Sequence, residues 1–208
     1  MKKVITVLFA MMMTTSALAN GMIGIKYGTG ELEATKNSYT AGSNTYTALT
    51  RDESHEYGAI FVELFVPDVE GLSIGIDYIP YTATVSVDGN SSDSYVELSD
   101  HTTLYGLYSM NVGGVSPFIK VGYSTADVAA FANYATTTIN SSDDSMKGYT
   151  IAAGIQSEVM DGVMGRMEDS FTDYDTLSAT TTSNGSSSVT KSADAELTTF
   201  SVAVAKTF

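Results

Sequence analysis

From Ile23 onward, apolar side chains recur at every second position, in short runs separated by polar stretches. Ile23, Ile25 and Tyr27 alternate with Gly24, Lys26 and Gly28, and Ile60, Val62, Leu64 and Val66 share a face opposite Ala59, Phe61, Glu63 and Phe65. Leu72, Ile74, Ile76 and Tyr78 oppose Ser73, Gly75 and Asp77. Ile119, Val121 and Tyr123 oppose Lys120, Gly122 and Ser124, and Tyr149, Ile151, Ala153 and Ile155 oppose Thr150, Ala152, Gly154 and Gln156. The last run sets Phe200, Val202, Val204 and Phe208 against Thr199, Ser201, Ala203, Ala205 and Thr207. Two further runs are less regular. About Val96 to Met110, Tyr105 and Leu107 sit opposite Leu104, Tyr108 and Met110; from Val163 to Phe171, Met167 faces away from Arg166 and Glu168. A period of two predicts strands with one apolar and one polar face.

The connections alternate between short and long. Pro67 to Gly71, Asn111 to Ser116 and Glu158 to Gly162 read as tight turns, while 37–52, 86–94, 127–145 and 173–195 read as long polar loops. Short turns at one end, long loops at the other and strands of about ten residues are the rhythm of a transmembrane barrel. Lipid offers backbone groups no partner, so such a sheet must close on itself. The polar faces are mostly Gly, Ala, Ser and Thr, too weakly charged for a surface in water. Tyr27, Tyr78, Tyr123, Tyr149 and Phe208 stand near strand ends, where interfacial aromatic girdles belong. The predicted fold is all-β, a closed antiparallel up-and-down barrel of eight strands whose apolar face meets lipid.

The first residues do not belong to that pattern. Lys2 and Lys3, an apolar stretch from Val4 to Met13 and Ala17-Leu18-Ala19 form a secretory signal peptide, so 1–19 is expected to be removed and 20–208 to be the barrel. Loss of two lysines takes the formal charge from −14 to −16. That balance, without a basic stripe, excludes nucleic acid as a partner. Cysteine is absent, which removes disulfides, thiol nucleophiles and thiolate metal sites.

The signal peptide, the eight alternating runs and a final strand ending on Phe208 together resemble the small bacterial outer-membrane barrel superfamily. That group includes the OmpA transmembrane domain, OmpX and the neisserial opacity proteins. The resemblance implies residence among outer-membrane lipids. It also implies that Phe200, Val202, Val204 and Phe208 form the C-terminal signal read by the barrel-assembly machinery. Lys206 departs from that signal, since an aromatic residue is usual there. No periplasmic domain follows Phe208, so a barrel alone is expected.

The polar faces carry three cations, Lys26, Lys120 and Arg166, and three anions, Glu63, Asp77 and Glu168. An eight-stranded barrel is just wide enough for side chains to fill it, so a paired network closing the lumen is expected; the alternative is a narrow ion path lined by the same residues. His55 and His101 fall near the outer strand ends and are expected at the surface. In Ser54-His55-Glu56, neighbours point to opposite faces and cannot form a relay. A lipid hydrolase of the barrel type needs a His and a Ser two positions apart, but Tyr57 and Thr103 stand at those places. Asp143-Asp144 and the set Asp169, Asp173 and Asp175 lack the spacing of a calcium loop. The expectation is a surface protein without cofactor, metal or catalytic residues, whose acidic outer loops mediate adhesion or shield the cell. A small ion channel and a membrane-embedded lipid hydrolase are the alternatives.

Overall fold

A computed structural model of the chain describes residues 20–41, 43–80, 82–86, 94–132, 145–183 and 187–208. The expected signal peptide lies outside the described residues, as do 87–93 and 133–144 within two of the expected loops and Asp143-Asp144 among them. Eleven strands follow in order: β1 (Gly21–Lys36), β2 (Tyr39–Ala41), β3 (Asn44–Tyr46), β4 (Leu49–Phe65), β5 (Leu72–Ile79), β6 (Ala83–Ser86), β7 (Ser94–Ser109), β8 (Val115–Ala132), β9 (Ser145–Met160), β10 (Val163–Ser183) and β11 (Ser187–Thr207). Among the described residues there is no helix.

The barrel closes. Sequence neighbours pair antiparallel from β7 to β11, the first strand pairs with both β4 and the last, and β5 joins β4 to β7. Pro80, which cannot donate to a ladder, separates β5 from β6, and both halves of that stave pair with β7. The result is an eight-staved up-and-down barrel, with β2 and β3 as a small hairpin at its rim. The short connections fall where expected. At Gly71, with φ of 79°, a Cβ would lie 2.0 Å from the Ser109 carbonyl oxygen, so only glycine fits that turn.

Near this turn end the facing follows the period-two pattern. Ile25, Ile60, Ile74, Ile119, Val121, Val202 and Val204 are exposed on the outside, Ile25 by 65%. Val62 shares their face but is nearly covered, in register between Ile23 and Ile76. Tyr27, Tyr123, Tyr149 and Phe208 are exposed on the same face. Tyr78 is covered instead, its hydroxyl donating to Asp100.

Farther toward the loop end the sign of the pattern reverses. Glu31 and Glu33 point out while Leu32 and Ala34 are buried inside; Glu196 points out while Ala195 and Leu197 are buried. Asp127 alternates with Ala126 and Val128, Lys147 with Met146, and Asp173 with Tyr174. The buried set packs into one apolar cluster, as in an antiparallel sheet that faces water. The barrel therefore has two storeys, one patterned for lipid and one for water.

This corrects the loop assignment at 173–195, where β10 runs to Ser183 and β11 resumes at Ser187, and at 37–52, which holds the β2–β3 hairpin and the start of β4. The Ser- and Thr-rich composition there is that of a strand in water, since Thr favours the extended backbone. Apart from the β5–β6 stave, the staves run 16 to 21 residues rather than ten. Much of the acidity expected in loops sits on these strands. Asp173, Glu196, Glu33 and Asp52 lie directly in register across β10, β11, β1 and β4.

The storeys predict opposite sensitivities on one outer face. Ile119→Arg should cost about 2–4 kcal/mol in lipid vesicles, whereas Glu31→Arg above the band should change stability by about 0.5 kcal/mol or less. Leu32→Ala, inside the upper cluster, should cost about 2–5 kcal/mol. Urea titration of the folded barrel reads all three.

Candidate functional site

The lumen is where polar chemistry concentrates. At the turn end its floor is apolar, with Met22, Phe61, Ala203 and Ala205 in one cluster and Tyr105, Leu107 and Phe118 in another. Between them lies Arg166 from β10, its guanidinium carbon 4.9 Å from the Phe61 ring centre and 5.0 Å from that of Phe118. Its Nη2 donates to Glu63 Oε2 at 2.9 Å, and Gln156 Oε1 accepts from both Nε (3.0 Å) and Nη2 (2.7 Å). Glu63 also accepts from the Tyr105 hydroxyl at 3.1 Å and the Ser73 hydroxyl at 2.8 Å. A planar guanidinium stacked on rings and forked onto oxygens is well suited to a narrow, nearly dry space.

Above this pair, four charges from four staves close a square. Lys26 Nζ lies 2.6 Å from Asp77 Oδ2 and 2.7 Å from Glu168 Oε1; Lys120 Nζ lies 3.0 Å and 2.5 Å from the same two oxygens. All four residues are buried. Each ammonium thus bridges both carboxylates, and each carboxylate lends one oxygen to both ammoniums. Asp77 Oδ1, Glu168 Oε2 and Arg166 Nη1 have no protein partner. The space beside the square is about 20 Å³, room for about one water.

A belt of hydroxyls lies over the square. His101 Nε2 and Thr103 Oγ1 are 3.0 Å apart, Thr103 and Ser124 2.7 Å, Ser124 and Thr150 2.5 Å, and Thr150 and Thr172 2.7 Å. Ser170 and Thr199 join at 2.7 Å. The next space, about 40 Å³, is lined by His55, Tyr57, Leu98 and His101 among others, and above it the apolar cluster fills the bore.

Lys26 and Lys120 lie in the lumen with Asp77 and Glu168, and Arg166 lies there with Glu63. His101 corrects the surface expectation. A bulge between Ser99 and Thr102, with Asp100 at φ of 51°, shifts the parity of β7 so that Leu98 and His101 both turn inward. His55 is half-buried and lines the same space. Gln156, Tyr105 and the hydroxyl belt were not singled out, although a signal existed: Ser124 and Thr172 stand four positions beyond Lys120 and Glu168, on the same face. On the outer wall Phe200, Val202, Val204 and Phe208 are exposed on one face of β11. Lys206 lies among them and donates to the Asp161 carbonyl at 3.0 Å, over the β9–β10 turn.

No family model matches the chain, and no curated protein matches it in sequence. Solved structures do. OprG, an outer membrane protein from Pseudomonas aeruginosa, superposes with a TM-score of 0.69 at 11% identity, covering 91% of this chain and 96% of that one. This chain has the fold of the bacterial outer-membrane β-barrels. The outer membrane protein AlkL follows at 0.61, with 11% identity over 91% of this chain and 90% of its own. The Escherichia coli outer membrane protease OmpT follows at 0.58, with 10% identity over 92% and 97%. Ail, the attachment invasion locus protein of Yersinia pestis, in complex with the heparin analogue sucrose octasulfate, gives 0.51 at 9% identity over 90% and 99%. What is shared is the closed barrel, which in this chain carries exposed apolar side chains on its outer face and ion pairs inside.

Because Glu63 is buried, removing its cation should leave an uncompensated charge. Arg166→Ala should lower stability by about 3–5 kcal/mol, and Arg166→Met combined with Glu63→Leu should recover much of that loss. Urea unfolding in detergent micelles compares the two variants.

Proposed function

We propose that this protein is a structural surface component of the outer membrane, a barrel with a closed lumen that presents its water-patterned storey to the outside. The observation that carries this reading is the lumen itself. Two ion-pair groups, the hydroxyl belt and the upper apolar cluster follow one another along the bore, and the spaces beside the square and beneath that cluster hold about one to three waters each. An ion would have to break the square or shed its hydration to pass. The six charges act as a structural plug, and the loop end, opposite the chain termini, faces the surroundings of the cell.

The outward storey determines which partners suit it. Its carboxylates repel polyanions, so a sulfated ligand such as the one bound to Ail is the wrong sign here, and a cationic surface is the right one. Contact with such surfaces, or electrostatic shielding of the cell, follows from that charge. In planar lipid bilayers the purified barrel should show no stepwise conductance. Stable ohmic steps would overturn the closed-lumen reading and favour a channel.

We also infer that Phe200, Val202, Val204 and Phe208 serve as the signal for the barrel-assembly machinery. Their exposure on one face of the last strand leaves them available to a receptor before closure. Deleting Phe208 should then reduce membrane yield in cells severalfold while refolding in detergent is little changed; equal loss in both assays would show a packing role alone.

A further inference from the structure

An ionisable side chain stands on the outer wall of β10 among apolar neighbours. From Arg166 to Tyr174 the even positions of β10 face the lumen, so Asp169 points outward between Met167 and Phe171. Its cross-strand neighbours are Phe200 on β11 and Ala153 on β9. Ile151 and Ile155, on either side of Ala153 along that face, are exposed, as are Met167 and Phe200. Asp169 is itself exposed, and no hydrogen bond or ion pair reaches it from any described residue.

Its depth sharpens the anomaly. Seven residues separate Asp169 from the turn at Gly162, which at the rise and tilt of barrel strands is about 18 Å along the axis. Phe171, on the same face, stands two residues higher, about 5 Å. A carboxylate on a single methylene stays at that level, where a long Lys or Arg stem could climb past it. The acidic residues of the upper storey, beginning at Asp173, lie beyond Phe171 and do not share this environment. Beside it stands the small side chain of Ala153, between Ile151 and Ile155 on the same face.

We propose that Asp169 is a recognition point for a lipid bearing hydroxyl and amide N–H donors where its acyl chains join the headgroup. The proposal rests on the apolar band being embedded in lipid. That level of a leaflet is where Asp169 sits. An ester-linked phospholipid presents only acceptors there, which a carboxylate repels; an amide N–H or a chain hydroxyl donates to it. Such a charge-assisted bond is strong, and stronger where water is excluded. The chain of the same lipid lies over Ala153 and holds the donor against the carboxylate. A cationic side chain from another membrane protein would satisfy the charge equally, but nothing else on this face resembles a protein interface: the surround is separate aliphatic and aromatic side chains continuous with the rest of the band.

The test uses the full barrel in nanodiscs of phosphatidylcholine with and without ceramide, a neutral lipid with both an amide N–H and hydroxyls. Native mass spectrometry counts the lipids that remain bound. The wild type should retain ceramide over phosphatidylcholine about tenfold more than Asp169→Leu does, with Asp169→Asn intermediate because it keeps an acceptor without the charge. Asp169→Leu makes the band more apolar, so it should insert normally. Equal ceramide retention by wild type and Asp169→Leu overturns the proposal. So does a dimer of the wild type that Asp169→Leu abolishes, which would assign the carboxylate to a protein contact. Failure of all variants to insert in either lipid, read from heat-modifiable gel mobility, overturns the embedded-band reading instead.

Discussion

Hydrocarbon supplies no hydrogen bonds, and the rest of this molecule follows from that. Each backbone N–H and C=O at membrane depth must find a partner in a neighbouring strand, so β1 must meet β11 and the sheet must close. Closure with eight staves leaves an interior about as wide as the side chains that fill it. Filling that interior with apolar residues throughout would leave a sequence apolar on both faces. The chain instead puts cations and anions there in equal number, drawn from five staves. The ion square and the Arg166–Glu63 pair are thus a consequence of ring closure as much as a feature of their own.

The same interior is graded along its length. Aromatic rings at the floor stack on a guanidinium, charges occupy the middle, hydroxyls sit above them, and aliphatic side chains close the far end. Breaking the square would expose two carboxylates and two ammoniums to a space of about 20 Å³, too small to hydrate them. The ion square is therefore cooperative in the physical sense: its parts are stable together and costly apart.

Much of this was legible in the chain. Eight alternating runs, three tight turns and the inward parity of six charges could be read directly, because a period of two needs no knowledge of the partner strand. β7 looked irregular because Tyr105 and Leu107 belong to the lumen floor, where apolar residues face inward. The upper storey was harder to see. Its Ser, Thr and Asp content resembles loop composition, and the alternation that continues through Leu32, Ala34, Ala195 and Leu197 has the opposite sign, which a search for greasy outer faces discards. His101 was hidden by one residue: the bulge at Asp100 shifts the parity, and no local composition announces it. Asp169 could have been found, since it stands opposite Glu168 in a run already read as a strand, but its acidic neighbours made it look like part of a loop.

The reversal of the pattern between the storeys also sets a waterline on the molecule. Sliding the barrel inward by two residues, about 5 Å, would carry Glu31 and its fellow carboxylates into hydrocarbon. Sliding it outward by the same amount would strip lipid from Ile25, Val121 and Val202. Both displacements are opposed around the whole circumference, so the barrel has one draught and cannot move like a piston. A bilayer of different thickness must then deform to meet it, and membranes whose hydrocarbon matches the span between its aromatic girdles are the ones in which it sits without strain.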